Sequence, residues 1–227
     1  MIRLQGIRQR ILEIGDLSLP PGHTVITGWN GGGKTTLLRL IAGLELPRTG
    51  SITLDGRTPG DIVCGWVNEF PGKNMLFSLV RDEISSPLRF AHLPCDEVSR
   101  RVEECAEWAG ISHLLSRKTH TLSGGEQVLT SLATALIGRP EILVLDEFDS
   151  YLDYRTADVI EERILASGAR YIFQCTQNPE LASRADRVVL LSRGRVRAFG
   201  SPGDVFSGLE QCCYYPPSWR LARGTDI

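Results

Sequence analysis

Residues 28–35 read Gly-Trp-Asn-Gly-Gly-Gly-Lys-Thr, a match to G-x-x-x-x-G-K-[ST], between a β-branched run at His23–Thr27 and a helical pattern through Leu37, Leu38, Leu40 and Ile41. Strand, glycine loop and helix in that order are what gripping a phosphate chain requires. Gly31, Gly32 and Gly33 leave the backbone free to curl, so that successive N–H groups beyond Asn30 can point at phosphate oxygens without obstruction by side chains. Lys34 brings a point charge suited to β- and γ-phosphates. The Thr35 hydroxyl is placed to ligate Mg²⁺, and Thr36 with the helix N-terminus faces the α- and β-phosphates. The loop specifies a nucleoside triphosphate and leaves open what its energy is used for.

Two further clusters narrow the chemistry. Ile142–Leu145 is wholly apolar and runs directly into Asp146 and Glu147, which puts two carboxylates at the end of a buried strand, where open α/β sheets bind ligands. Asp146 is suited to hold Mg²⁺ through water, and Glu147 to polarise a water attacking the γ-phosphate. Leu122-Ser123-Gly124-Gly125-Glu126-Gln127 offers a hydroxyl, backbone N–H groups and the positive end of a helix, a second place where phosphate is welcome.

At this hexapeptide the chain resembles the ATP-binding-cassette family, whose signature is L-S-G-G-Q/E. The glycine loop, the signature and Asp146-Glu147 stand in that family's order and spacing, and Ser150-Tyr151-Leu152-Asp153 resembles its D-loop. The resemblance covers about residues 10 to 206. It implies an α/β P-loop NTPase fold with a RecA-like core, an antiparallel β subdomain and a helical subdomain. It also implies ATP with Mg²⁺ as ligands, and two cassettes paired head to tail, so that Ser123, Gly124, Gly125 and Glu126 of one chain cap the ATP held by the other. Narrower likenesses, Asn68–Ser78 and Gly200–Phe206 followed by Pro216-Pro217 and Leu221-Ala222-Arg223, are to the energy-coupling-factor ATPases that power vitamin or metal uptake. They imply a cytoplasmic subunit peripheral to the membrane, docked on a transmembrane scaffold near Phe70–Leu88, with Met75, Leu76 and Phe77 as the candidate docking patch.

Three positions depart from the family pattern. Glu69 stands where a glutamine is usual; a carboxylate would ligate Mg²⁺ more strongly and, with Asp146 and Glu147, adds like-charge repulsion that the metal relieves. Gln177 replaces the histidine that contacts the γ-phosphate, and its neutral hydrogen bond is roughly half as strong as a charge-assisted one. The expectation is impaired rather than absent turnover with Glu147 retained. No aromatic residue precedes Trp29, which leaves Arg8, Arg10 or Ile11 to cover the base and casts Trp29 as a packing residue of the loop. An altered site beside an intact signature suggests an asymmetric heterodimer, with a homodimer of two slow sites as the alternative.

The elements that must hold these residues alternate in α/β fashion. Strands are expected at Ile11–Leu19, His23–Thr27, Ser51–Asp55, Ile62–Val67, Ile142–Leu145, Tyr171–Cys175, Val188–Leu191 and near Val196, with a turn at Arg193-Gly194. Between them the prolines 71, 87 and 94 break up a helical insert (about 71–138). There Asp96 caps a helix with an apolar stripe of Val98, Val102, Cys105 and Ala109, and a second helix runs from about Gly125 to Ile137. The segment 1–206 reads as one domain, and 207–227 as a tail without periodicity.

Composition excludes other classes. At 227 residues and 25.1 kDa, with 42% hydrophobic and 23% charged residues, the chain can bury roughly 70% of its unfolded surface, which excludes disorder and mini-proteins. Twenty-five basic against 27 acidic residues give a net charge of -2, against nucleic-acid coating. No apolar run approaches a membrane span, so no direct membrane insertion is expected, and the first residues do not read as a signal peptide. The six cysteines (64, 95, 105, 175, 212 and 213) form no C-x-x-C pair and read as reduced, mostly buried thiols.

Overall fold

The computed structural model describes residues 1–152, 154–209 and 213–222. In chain order the elements are β1 (Ile2–Gln9), β2 (Leu12–Leu19), β3 (Gly22–Thr27), α1 (Lys34–Ile41), β4 (Thr49–Leu54), β5 (Cys64–Val67), α2 (Pro71–Asn74), α3 (Val80–Phe90) and α4 (Cys95–Ala109). They continue with α5 (Gly124–Leu136), β6 (Ile142–Asp146), α6 (Tyr154–Leu165), β7 (Tyr171–Cys175), α7 (Pro179–Ser183), β8 (Arg187–Ser192), β9 (Arg195–Gly200), α8 (Pro202–Phe206) and α9 (Pro217–Ala222). Contacts divide the chain into two compact units: Met1–Ile62 with the chain from Tyr171 onward, and Val63–Arg170.

The first unit carries an antiparallel sheet in the order β2-β1-β4 and a run of strands β7-β3-β8-β9, parallel except for β9. β3 and β7 are buried almost throughout, on both faces, which suits parallel strands with uninterrupted apolar sequence. β1 was not expected from the sequence. Ile2 and Leu4 point inward in strict alternation, but Gly6, at φ 59°, shifts the phase so that Ile7 is the next buried residue. The pairing of β1 with β4 slips by one residue between Gln5 and Arg8, and a bulge of this kind erases the period-two signal.

The second unit pairs β5 with β6 in parallel and packs α3, α4 and α5 around a core of Val80, Ile84, Val102, Ala106, Leu114 and Ala133. Three expectations are corrected here. Pro94, not Asp96, occupies the N-cap of α4, and Asp96 lies in its first turn, where a carboxylate suits the helix dipole. Ala106 joins the buried stripe of α4, while Cys105 is half-buried at its flank. Pro87 does not interrupt the insert but lies inside α3. The Glu83 carbonyl, deprived of an N–H partner at Pro87, accepts from Ser86 Oγ at 2.8 Å instead.

The tail also acquires structure. Tyr214 and Tyr215 are buried, and Trp219 of α9 meets Phe206 and Tyr215 edge-on, at 5.9 and 6.1 Å between ring centres. Among the described cysteines Cys175 is buried, Cys64 and Cys105 are half-buried, and Cys95 and Cys213 are exposed, so the expectation of mostly buried thiols holds only in part. Burial pushes the Cys64 thiol up to about 12 and that of Cys105 to about 11, which makes both poor nucleophiles. Asp153, Cys212 and Arg223 lie outside the described residues. No helix among the described residues is long and apolar enough to cross a membrane.

Candidate functional site

The glycine loop follows β3 and enters α1 through Gly33, whose φ of 101° places it in the left-handed region. A Cβ there would stand 2.6 Å from Leu12 Cδ2, the movable end of a side chain, so it is the dihedral that calls for glycine. No side chain caps α1 and no acidic residue stands in its first turn, so the N–H groups of that turn and the positive end of the dipole face whatever the loop encloses. Lys34, 5% exposed, folds back along the loop; its Nζ donates to Gly28 O at 2.9 Å, Trp29 O at 3.4 Å and Asn30 Oδ1 at 3.5 Å. Thr35 is exposed and Thr36 buried. Gln177, exposed just beyond β7, donates from Nε2 to Asn30 Oδ1 at 3.0 Å, so the unusual glutamine and the loop are in direct contact.

The loop is braced by a residue that motif reading passed over. Gly194, in the β8–β9 turn, donates its N–H to Gly32 O at 3.0 Å and accepts at its carbonyl from Glu13 N–H at 2.8 Å. Its only legible signal was a turn dipeptide. Ile11, half exposed at 51%, lies beside the loop, its Cγ1 3.5 Å from where a Gly33 Cβ would sit. Arg10 is paired with Glu45 and Arg8 with Glu13, both arginines remaining largely exposed. Trp29 meets Tyr214 edge-on at 5.6 Å, consistent with a packing role.

In the second unit, β6 delivers Asp146 buried at its last residue. Glu147 follows at φ 49°, ψ 32°, a left-handed conformation uncommon for residues with a side chain and shared here by Arg10, Asp55, His92, Arg139 and Arg193. Glu69 is half-buried two residues beyond β5. No group of three or more His, Cys, Asp or Glu side chains able to hold an ion on their own occurs among the described residues. Thr35 in the first unit, and Asp146 and Glu69 in the second, are each oxygen donors of the kind that suits Mg²⁺, a hard cation that usually takes one or two carboxylates and completes its shell with phosphate and water.

Ser123 caps α5 in a reciprocal box: its Oγ accepts from Glu126 N–H at 3.4 Å, and its own N–H donates to Glu126 Oε2 at 2.7 Å. That backbone bond, aided by Ser123 Oγ and Arg117, holds the Glu126 carboxyl below its ordinary range. Glu126 thus orders the corner formed by Ser123, Gly124 and Gly125. Nearby, Glu83 Oε2 accepts from the N–H groups of Leu76 and Phe77, both at 2.8 Å. Leu76 is thereby presented 77% exposed, whereas Met75 is partly buried against the helical core and Phe77 is half-buried.

A family model described as ABC transporter matches residues 12–150. The energy-coupling factor transporter ATP-binding protein EcfA1 of Halalkalibacterium halodurans is 34% identical over 207 residues, covering 86% of this chain and 74% of that protein. The spermidine/putrescine import ATP-binding protein PotA of Oleidesulfovibrio alaskensis is 33% identical over 204 residues, covering 86% of this chain and 55% of PotA. The chain therefore spans about three-quarters of the first relative and little more than half of the second. The solved structure of cbiO1 from Clostridium perfringens, part of the ABC transporter complex cbiONQ, superposes with a TM-score of 0.84 at 24% identity, over 99% of this chain and 96% of that one. At that identity the likeness establishes the fold, a mixed α/β P-loop NTPase of the cassette type.

Proposed function

The chain belongs to the ABC transporter family and is an ATPase of that family, and on this premise we propose that it is the cytoplasmic motor subunit of an importer, most similar to the energy-coupling-factor type. Relatives named for energy-coupling-factor transport and for polyamine import support the importer reading. The first of them, together with the Asn68–Ser78 pattern, supports the finer one. The observation that carries the ATP-binding part of the proposal is the loop itself: Lys34 lies along the loop's carbonyls, and α1 opens uncapped beneath the glycines.

Each residue then has a task. The N–H groups of Gly31, Gly32 and Gly33 with Lys34 and Thr36 bind and orient the triphosphate of ATP, with Asn30 beside them. Thr35, Asp146 and Glu69 would hold Mg²⁺, which would supply positive charge to neutralise the phosphate oxygens. Glu147 takes the proton of the attacking water, and Gln177 orients that water and the γ-phosphate with a neutral hydrogen bond. The carboxylate at position 69 ties nucleotide binding to Mg²⁺ more strongly than an amide would, and Glu69→Gln relaxes that requirement. Ser123, Gly124 and Gly125 cap ATP held by a second cassette, a copy of this chain or a related subunit. Leu76, presented by Glu83, meets the transmembrane scaffold. The neutral group at 177 also favours a second reading, a regulatory subunit whose partner performs most of the turnover; it predicts that Glu147→Gln leaves transport nearly intact.

The test of the binding site is Lys34→Ala. Loss of one charge-assisted phosphate contact is expected to weaken MgATP binding by about 1.5–3 kcal/mol, roughly ten- to a hundredfold. Undiminished affinity by calorimetry removes the loop from the site.

A further inference from the structure

The C-terminal segment closes a ring of contacts around the Gln177 side of the site. Starting from the loop, Trp29 meets the buried ring of Tyr214 edge-on, at 5.6 Å and 85°. The chain continues through Tyr215, 2% exposed, to Ser218 in α9. There both hydrogen-bond donors of Ser218 engage one carboxylate: its N–H donates to Glu180 Oε1 and its Oγ–H to Glu180 Oε2, each at 2.7 Å. Glu180 sits in the first turn of α7 and donates its own N–H to Asn178 Oδ1 at 3.0 Å. Asn178 in turn donates its N–H to Thr176 Oγ1 at 3.0 Å. Gln177, held between those two, reaches back to Asn30, the residue after Trp29.

Two features give this ring meaning beyond packing. Its anchors are firm, because Trp219 is wedged edge-on between Phe206 and Tyr215 and a doubly hydrogen-bonded carboxylate is strong and directional. The link it closes joins two exposed neutral amides, Gln177 Nε2 to Asn30 Oδ1, an oxygen that Lys34 Nζ also approaches at 3.5 Å. A neutral amide bond is modest against the rotamer freedom of a glutamine. Support of the backbone at 176–180 and of the loop at Trp29 therefore helps to keep the two amides in register.

We propose that the Tyr214–Trp219 segment is a brace that positions Gln177 against Asn30, with Tyr214 and Ser218 as positioning residues for ATP turnover. This rests on the reading of Gln177 given above and adds to it the elements that set its geometry. A brace of this kind acts on the step in which Gln177 takes part, and leaves the phosphate grip of Lys34 and the glycines unaltered.

The experiment compares kcat, KM for MgATP and thermal midpoint for the full-length chain carrying Tyr214→Ala, Tyr214→Phe, Ser218→Ala, Gln177→Ala and the Tyr214→Ala/Gln177→Ala pair. Tyr214→Ala and Ser218→Ala are expected to lower kcat roughly three- to tenfold with KM nearly unchanged, the pattern of an interaction felt in the transition state and not in binding. Tyr214→Phe keeps the ring edge, and a rate nearer the parent's than that of Tyr214→Ala assigns the brace to the ring. In the Gln177→Ala background, Tyr214→Ala should cost nothing further, because residues that act as one unit are not additive. Should Tyr214→Ala fold poorly, Ser218→Ala carries the test, since Ser218 is exposed and its loss leaves the rings in place. If Gln177→Ala is slow while Tyr214→Ala and Ser218→Ala turn over like the parent, or if the paired losses multiply, the brace is wrong and the role of Gln177 stands. If Gln177→Ala itself turns over like the parent, the role of Gln177 falls and the brace with it.

Discussion

Two side chains, one on β3 and one just beyond β7, carry opposite lessons about neutral groups. His23, 3% exposed on β3, shares a 2.8 Å bond between its Nε2 and Gln174 Oε1, while its Nδ1 has no hydrogen-bond partner. Burial lowers its pKa from 6.5, more than the Gln174 bond and the nearby Asp186 charge raise it. As the pH falls below 6.5 the unfolded chain takes up a proton that the folded chain refuses. Stability present above that pH is thus lost on acidification, at no more than about 1.4 kcal/mol per pH unit, until the folded-state pKa is passed. Urea midpoints between pH 7.5 and 5 should fall more for the parent than for His23→Gln; parallel curves would mean that His23 titrates normally. Gln177 is the reverse case, an exposed neutral group where a charge would serve better. Gln177→His restores a donor that can be cationic, and since charge-assisted bonds are about twice as strong, single-site turnover should rise severalfold, up to about tenfold for 1.4 kcal/mol. No gain would argue against Gln177 as the cause of slow chemistry.

At the scale of elements, the β8–β9 turn matters more than any motif suggests. Gly194 has φ 75°, and a Cβ there would lie 1.7 Å from Ile11 O, a backbone atom that cannot swing aside. Gly194→Ala must separate the β8–β9 turn from the β1–β2 turn and pull on Gly32 O. The expected cost is about 2–4 kcal/mol, some 5–15 °C in the thermal midpoint for a chain of this size. MgATP affinity should fall as well, because the Gly194 N–H donates to Gly32 O of the phosphate loop; a variant as stable and as tight as the parent would show that the contact contributes nothing. Sequence reading went furthest where the signal is local: the glycine loop between β3 and α1, the all-apolar strand that ends at Asp146, and the helix that starts beside Ser123. It missed β1, where Gly6 breaks the alternation. It placed the cap of α4 two residues late, because Pro94 fixes its own φ without any side-chain signal. It found no order after Ser207, because Tyr214, Tyr215 and Trp219 are ordered by rings and by Glu180, distant in sequence, with no periodicity of their own. The Gly194 contact was invisible for the same reason: close backbone approach leaves no mark beyond a glycine.

For the whole molecule, the decisive matter is whether one chain completes the site of another. In a head-to-tail pair each site takes Lys34 from one subunit and the Ser123 corner from its partner, so lesions in the two can complement. Gly125 offers a clean lesion for the corner. It lies in the first turn of α5, its φ is not positive, and a Cβ there would meet only Leu152 and Thr156 side chains at 3.9 Å. Gly125→Asp therefore fits the fold, and a carboxylate in a helix's first turn is favourable by a few tenths of a kcal/mol. The same carboxylate would repel a phosphate presented from across the pair. Chains carrying Lys34→Ala and chains carrying Gly125→Asp should each be inactive, yet equal mixing should return activity. Half of the pairs would be mixed, and each mixed pair would hold one intact site and one doubly damaged site, so about a quarter of the parental sites should recover. Recovery should require MgATP and follow total protein concentration, as ligand-linked association does. If each variant is inactive, the parent turns over and the mixture stays silent, copies of this chain do not share sites. The intact signature must then serve a different cassette, and the asymmetric pair suggested by Gln177 becomes the arrangement to purify.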